Sequence, residues 1–200
     1  MRVEQLREEF PLDVEWWPYE LRPGTPPEGI PLERIAGQGP YTGQYLAYVE
    51  EAAARAGIRM KRRTLLPNSR PSLEAAEFAR EAGRFEALHR ALFRAYFEEG
   101  EDIGDEEVLA RLASECGLDA GALVAALRER RYDKLVDDKV RWAYEQNLGG
   151  VPAFIFYPRG SSREIDGFVV VGAQEYDVFR DVTERILRRG RSKADPDADS

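Results

Sequence analysis

The 200-residue sequence holds one cysteine, Cys116, and one histidine, His89. These are the side chains best able to act as a nucleophile, a base near neutral pH or a soft metal ligand, and their being single limits the chemistry. One thiol cannot form an intramolecular disulfide or a Cys-x-x-Cys dithiol. One cysteine with one histidine cannot supply a Cys/His metal cluster, so no metal ligands are assigned. Cys116 falls seven residues after Leu109 on an apolar helical face, next to Gly117, which is expected to end that helix. A helix C-terminus raises a thiol pKa, and free cysteine is among the most buried residue types, so a buried, unreactive thiol is predicted. His89 sits between Leu88 and Arg90 on a helical stretch, with no nucleophile for it to serve as a base. No catalytic residue follows from this inventory. In Gly149-Gly150-Val151-Pro152, two glycines are expected to close a helix in the left-handed conformation, and a proline then opens a strand over 153–157.

The elements that must position this loop can be read from periodicity. A helix is predicted to end near Phe10, with Val3, Leu6 and Phe10 on one stripe. Leu12, Val14 and Trp16 alternate with Asp13 and Glu15, which predicts a strand over 12–21, its Trp16-Trp17 pair packed in a core. Residues 22–40, rich in proline and glycine, read as loop. A helix over 41–57 would place Tyr45, Val49 and Ala52 on one face. The basic cluster Arg59, Lys61, Arg62 and Arg63 reads as a solvated face, given the acidic total. From 72 to 147 the pattern is almost wholly helical. Ser72, Asp105 and Asp119 are candidate N-caps. The inward residues would be Leu73, Ala76 and Ala79, then Phe85, Leu88, Leu92 and Tyr96, then Leu109, Leu112 and Ala113, then Leu123 and Leu127, then Val136, Val140 and Ala143. Beyond the loop come a strand over 153–157, a hairpin-like turn over 159–163, a strand over 167–172 and a helix over 176–187 with Phe179, Val182 and Ile186 inward.

Composition narrows the function classes. An apolar share of 43% can supply a core. A net charge of −8 argues against a nucleic-acid partner, which requires a basic face for the phosphates. No apolar run approaches the ~18 residues of a membrane span, and no membrane partner is expected. The charged opening Met1-Arg2-Val3-Glu4-Gln5 lacks an apolar signal core, which leads to an expectation of a cytoplasmic protein.

Five segments taken in order carry a resemblance: Glu20-Leu21-Arg22-Pro23-Gly24-Thr25-Pro26-Pro27-Glu28-Gly29-Ile30, Leu66-Pro67-Asn68-Ser69-Arg70, Ala91-Leu92-Phe93-Arg94-Ala95-Tyr96-Phe97, Gly150-Val151-Pro152-Ala153-Phe154, and Asp166-Gly167-Phe168-Val169-Val170-Val171-Gly172-Ala173-Gln174. Together they resemble the DsbA family of thioredoxin-fold oxidoreductases, in its FrnE-like branch, from about residue 3 to about residue 187. The resemblance implies an α/β class, a thioredoxin-like fold incomplete at its N-terminus, with an all-helical insertion. Residues 1–66 and 148–188 would form the two parts of the thioredoxin-like domain, 67–147 the insertion, and 189–200 a disordered tail. It also implies thiol–disulfide exchange on protein or peptide substrates without any cofactor. Gly150, Val151 and Pro152 would bind substrate, the Val151–Pro152 bond being cis and the backbone of Val151 offered to the bound chain.

The family's opening strand and Cys-x-x-Cys pair have no counterpart here. Met1 falls inside what resembles the first helix, after that motif, so an N-terminal extension in the working protein is expected, and no dithiol activity in the chain as written. In the family's strand order of second, first, third, fourth, the strands over 13–21 and 153–157 would lack a shared neighbour. Unpaired buried backbone groups cost about 1–3 kcal/mol each. The second strand would then shift onto the third, another chain would donate a strand, or the chain would fold only in part. Two other readings stay open: a redox-inactive thioredoxin-like module that binds peptides or a partner, and a relative of kappa-type glutathione transferases and chromene-carboxylate isomerases, which place a serine where DsbA has cysteine. A homodimer is likewise left open.

Overall fold

In the computed structural model the described residues are 2–38, 42–161 and 167–194. They divide into two compact units, one of residues 1–17 with 143–200 and one of residues 18–142.

The first unit begins with α1 (Arg2–Glu9). It continues after the helical block with β3 (Ala153–Phe156), β4 (Phe168–Val171) and α8 (Tyr176–Ala194). β3 and β4 are antiparallel, with Phe154 opposite Val170 and Ile155 opposite Val169. Because successive strand residues face opposite sides, Phe154, Phe156 and Val170 share one face. That face packs with Phe179 and Val182 of α8 and Leu6 of α1, Leu12 lying against the same cluster. The Phe154 and Phe179 rings meet edge to face, 4.7 Å between centroids. The α8 helix runs to Ala194, well past 187, so residues 189–194 of the expected tail are helical. Near its C-terminal part Glu184 pairs with Arg188 one turn on, as i,i+4 pairs do on exposed helix faces. The expected tail beyond 194, and the turn residues 162–163, lie outside the described residues.

The strand predicted over 12–21 does not form. Residues 11–20 have no regular secondary structure. Pro11 and Pro18 remove two ladder donors, and among the described residues no strand lies beside this segment to pair with it. Alternation of apolar and acidic side chains is a signal of half-burial, and here an extended segment is half-buried without a ladder.

The second unit holds β1 (Ile30–Pro31), α2 (Gly43–Arg55), β2 (Leu65–Leu66), α3 (Arg70–Glu81), α4 (Phe85–Arg94), α5 (Glu106–Glu115), α6 (Ala120–Arg128) and the start of α7 (Asp133–Glu145). β1 lies inside the stretch read as loop, and its partner β2 in a stretch to which the pattern assigns no element. Two-residue strands give no periodicity to detect, and a glycine fixes them: at Gly29 (φ +74°) a Cβ would stand 2.7 Å from the Leu66 carbonyl oxygen. The core comprises Ala75, Ala79, Leu88, Ala91, Leu92, Ala95, Leu109, Leu112, Ala113 and Leu123. Asp105 and Asp119 cap α5 and α6 through their side-chain oxygens. Ser72 does not cap α3. Its hydroxyl donates to the Ser69 carbonyl, and Glu74, Ala75, Glu77 and Ala79 are buried, whereas Leu73 and Ala76 are only half-buried. On α2, Tyr45 is exposed and no residue is fully buried.

Arg70 explains the rotation of α3. Its guanidinium reaches Glu74 (3.0 Å), Asp133 (2.6 Å), Asp137 (2.6 Å) and Glu20 (3.3 Å), and also donates to the Asp133 main-chain carbonyl. Burial works to lower its pKa, but hydrogen bonds to Asp137 and Glu74 outweigh it, leaving the group above its ordinary value. Asn68 braces the same turn: its amide donates to the Thr25 carbonyl and its oxygen accepts from the Arg70 N–H.

Two stability tests follow. Arg70→Met leaves its carboxylates uncompensated and is expected to lower the unfolding free energy by about 3–5 kcal/mol, the range for removing one partner of a buried pair. Adding Glu74→Gln should restore part of that loss in urea titrations. Leu112→Ala, at a fully buried site, should cost about 2–5 kcal/mol; a loss under 1 kcal/mol would mean that the helical core is not the stabilising element.

Candidate functional site

The loop between α7 and β3 is set by its two ends. At its start the helix is closed by Asn147, not by the glycine pair: Asn147 takes φ 55°, whereas Gly149 and Gly150 are not left-handed. Asparagine is the commonest non-glycine residue in that conformation, since its amide compensates locally. The Asn147 and Leu148 N–H groups donate to the Tyr144 and Ala143 carbonyls (2.9 and 3.1 Å), and the buried Leu148 side chain anchors the exit. At the far end the Gly172 N–H donates to the Pro152 carbonyl (2.8 Å), which ties the loop to the end of β4.

Between these anchors the chain is open. Gly149 is exposed and Gly150 half-buried, and a Cβ added at either would meet nothing within 4 Å. Val151 is 48% exposed, Pro152 is exposed, and the bond joining them is cis. The three residues predicted to bind substrate, Gly150, Val151 and Pro152, therefore form one exposed stretch of main chain at the head of a strand. Such a stretch offers backbone donors and acceptors and a small apolar side chain, the features that hold an extended peptide.

Cys116 and His89 belong to the other compact unit. Cys116 is half-buried, not fully buried as expected, and free. It stands at the C-terminal cap of α5, where its N–H donates to the Leu112 and Ala113 carbonyls, and it borders the helical core. A cap position lies where the helix emerges, which explains why the i+7 spacing overestimates its burial. Burial, and then the neighbouring Glu115 carboxylate, push its thiol above the ordinary value. His89 is stacked between Phe85 and Phe93, 5.1 and 4.7 Å between centroids, and burial lowers its pKa. An imidazole held between two rings is a packing element.

Sequence reasoning missed the role of Gln174. Its side-chain amide donates to the Val171 carbonyl (2.8 Å) just beyond the turn at Gly172, closing the outer edge of β4. The available signal was an amide side chain placed two residues after a glycine that ends a strand.

Comparison with known proteins gives four likenesses. The family described as DSBA-like thioredoxin domain matches residues 1–184. The uncharacterized protein YwbO of Bacillus subtilis (strain 168) is 31% identical over 171 residues, 84% of this chain and 79% of that protein. Among solved structures, a probable DsbA oxidoreductase from Streptomyces coelicolor superposes with a TM-score of 0.77 at 26% identity, covering 93% of this chain and 82% of that one. A putative protein disulfide isomerase from Nitrosomonas europaea gives 0.71 at 14% identity, over 94% and 89% of the two chains, a likeness of fold.

The thiol gives a pH test. Labelling by an aromatic disulfide reagent follows the thiolate. Because the Cys116 pKa is raised, the native protein should label more slowly than a free thiol near pH 7.5. The rate should climb about tenfold per pH unit and level off only above the ordinary cysteine pKa. A plateau below pH 8 would mean that the thiol is activated.

Proposed function

The chain belongs to the DSBA-like thioredoxin domain family, and from that premise we propose that it binds extended protein or peptide segments at Gly150-Val151-Pro152, in the service of thiol–disulfide exchange. The observation that carries this reading is the accessible main chain of that loop, with Gly149 and Pro152 exposed and Val151 half in solvent. The likeness to a probable DsbA oxidoreductase at 26% identity supports the reaction class. The Leu66-Pro67-Asn68-Ser69-Arg70 and Gly172-Ala173-Gln174 segments support the FrnE-like branch within it.

The 200 residues contain one thiol. Exchange in this family's manner uses two: a thiolate attacks the substrate disulfide, one sulfur leaves as substrate thiolate, and a second thiol resolves the mixed disulfide. Cys116 does not fill the first role. It stands at a helix C-terminus with a raised pKa, where a nucleophilic thiol needs a helix N-terminus and a lowered one. These residues by themselves therefore recognise a polypeptide without running the dithiol cycle.

The test separates recognition from chemistry. The oxidised insulin B chain is titrated into the isotope-labelled 200-residue protein, and insulin reduction by dithiothreitol is followed alongside. Saturable amide shifts should cluster at 149–153, and Val151→Asp should weaken binding by about tenfold or more, the scale of losing one well-placed apolar contact and burying a charge. Insulin reduction should stay at the reagent's own rate. Shifts that avoid 149–153 would rule out the loop as the binding surface, and acceleration that is lost in Cys116→Ser would rule out the recognition-only reading.

A further inference from the structure

One peptide group at the end of β4 is held at both of its poles. The Val171 carbonyl and the Gly172 N–H belong to the same planar unit, so they point in opposite directions and turn together. The oxygen accepts from the Gln174 side-chain amide (2.8 Å), and the N–H donates to the Pro152 carbonyl (2.8 Å). Among the described residues no other hydrogen bond reaches Gly149, Gly150, Val151 or Pro152. Between the Leu148 anchor and the start of β3, this one peptide plane is what fixes the loop from outside it.

The turn that follows keeps Gln174 on that plane. Gly172 takes φ +85°, and the Gln174 N–H donates to the Gly172 carbonyl (2.9 Å), which closes a three-residue turn. The side chain is thereby brought back over the peptide it follows: a Cβ at Gly172 would stand 3.5 Å from the Gln174 amide nitrogen. Arg2 of α1 also holds the turn, donating to the Ala173 carbonyl (3.0 Å) and pairing with Glu175 (3.3 Å). Val171 and Gln174 are both exposed. Water can therefore satisfy the Val171 carbonyl if the amide is removed, but water does not fix the direction of the plane. Bonds in line also reinforce one another, since a peptide that accepts at its carbonyl donates better at its N–H.

We propose that Gln174 is a positioning residue for peptide binding: by fixing the 171–172 peptide it fixes the Pro152 carbonyl, and with it the main chain at 150–152 that a bound polypeptide reads. This inference rests on the reading of that loop as the binding surface. A surface whose recognition groups are backbone gains affinity from being ordered before its ligand arrives, because ordering it on binding costs free energy. Gln174 acts on the bound chain through Gly172 and Pro152 and not by contact. Its loss should therefore appear in affinity and leave the stability of the fold unchanged.

The experiment titrates the oxidised insulin B chain into the isotope-labelled full chain and into two variants, Gln174→Ala and Gln174→Glu. The second keeps the shape of the side chain but, as a carboxylate, has no proton to donate to Val171. Both should weaken binding about three- to tenfold, the scale of one hydrogen bond, with an unchanged urea midpoint, as for other exposed side chains. In the ligand-free variants the Gly172 amide proton should move upfield and exchange faster, while the amides within β3 and β4 keep their rates. Should Gln174→Glu fail to fold, Gln174→Ala decides. Variants that bind at 149–153 as tightly as wild type, or that leave the Gly172 amide unchanged, would overturn the positioning role and leave the binding loop standing. Affinity and urea midpoint that fall together would overturn it in favour of a structural role. Wild-type shifts that avoid 149–153 would overturn the binding loop and this inference with it.

Discussion

Arg70 holds one guanidinium among four carboxylates that the chain supplies from far apart: Glu20, Glu74, Asp133 and Asp137. Carboxylates brought this close would repel one another, and Glu74, with its side chain 8% exposed, has its pKa raised first by burial. The planar fork of arginine suits the task, because it presents donors in several directions at once and stays charged when partly buried. The consequence is geometric. Through Arg70 the first turn of α3 is tied to the first turn of α7 and to the extended segment at Glu20. Asn68 and Gly104 complete the joint: a Cβ at Gly104 would stand 2.5 Å from the Asn68 carbonyl oxygen. The ion cluster thus fixes the first turns of α7 against α3.

A second cluster strengthens the same α3–α7 contact. Glu77, whose side chain is 2% exposed, accepts from Lys139 and pairs with Arg80. Tyr132 donates to Glu81, which also pairs with Arg131, and burial followed by that hydrogen bond pushes the phenol up to about 12. The face of α3 turned toward α7 is thus polar and paired, while Ala75 and Ala79 give the close apolar approach to the helical core. A helix with two buried faces of different character does not show one clean apolar stripe, which is why periodicity alone placed Leu73 and Ala76 inward.

Helices whose stability rests on one apolar face were legible: Leu109, Leu112 and Ala113 on α5, Leu123 on α6, and Val136 and Val140 on α7 are buried as their spacing requires. So were the caps at Asp105 and Asp119, whose signal is local. The failures share a cause in distance along the chain. The partners of Arg70 lie 50, 63 and 67 residues away, and only Glu74, at i+4, could have been paired from sequence. The segment 12–21 has the alternation of a strand, but strandhood requires a neighbour as well as a pattern. The β1–β2 pair is too short to carry a pattern at all.

The candidate site was legible for a different reason. The loop at 149–152 draws its position from short-range constraints: a left-handed residue ends α7, glycines leave the main chain uncovered, and a proline carbonyl is held by the far end of the hairpin. None of these depends on a thiol. Chemistry of the dithiol type instead depends on a helix N-terminus that lowers a thiol pKa, and the one thiol present stands at a helix C-terminus with its pKa raised. The loop is assembled locally and is readable, whereas a low-pKa thiol is not furnished by the single cysteine.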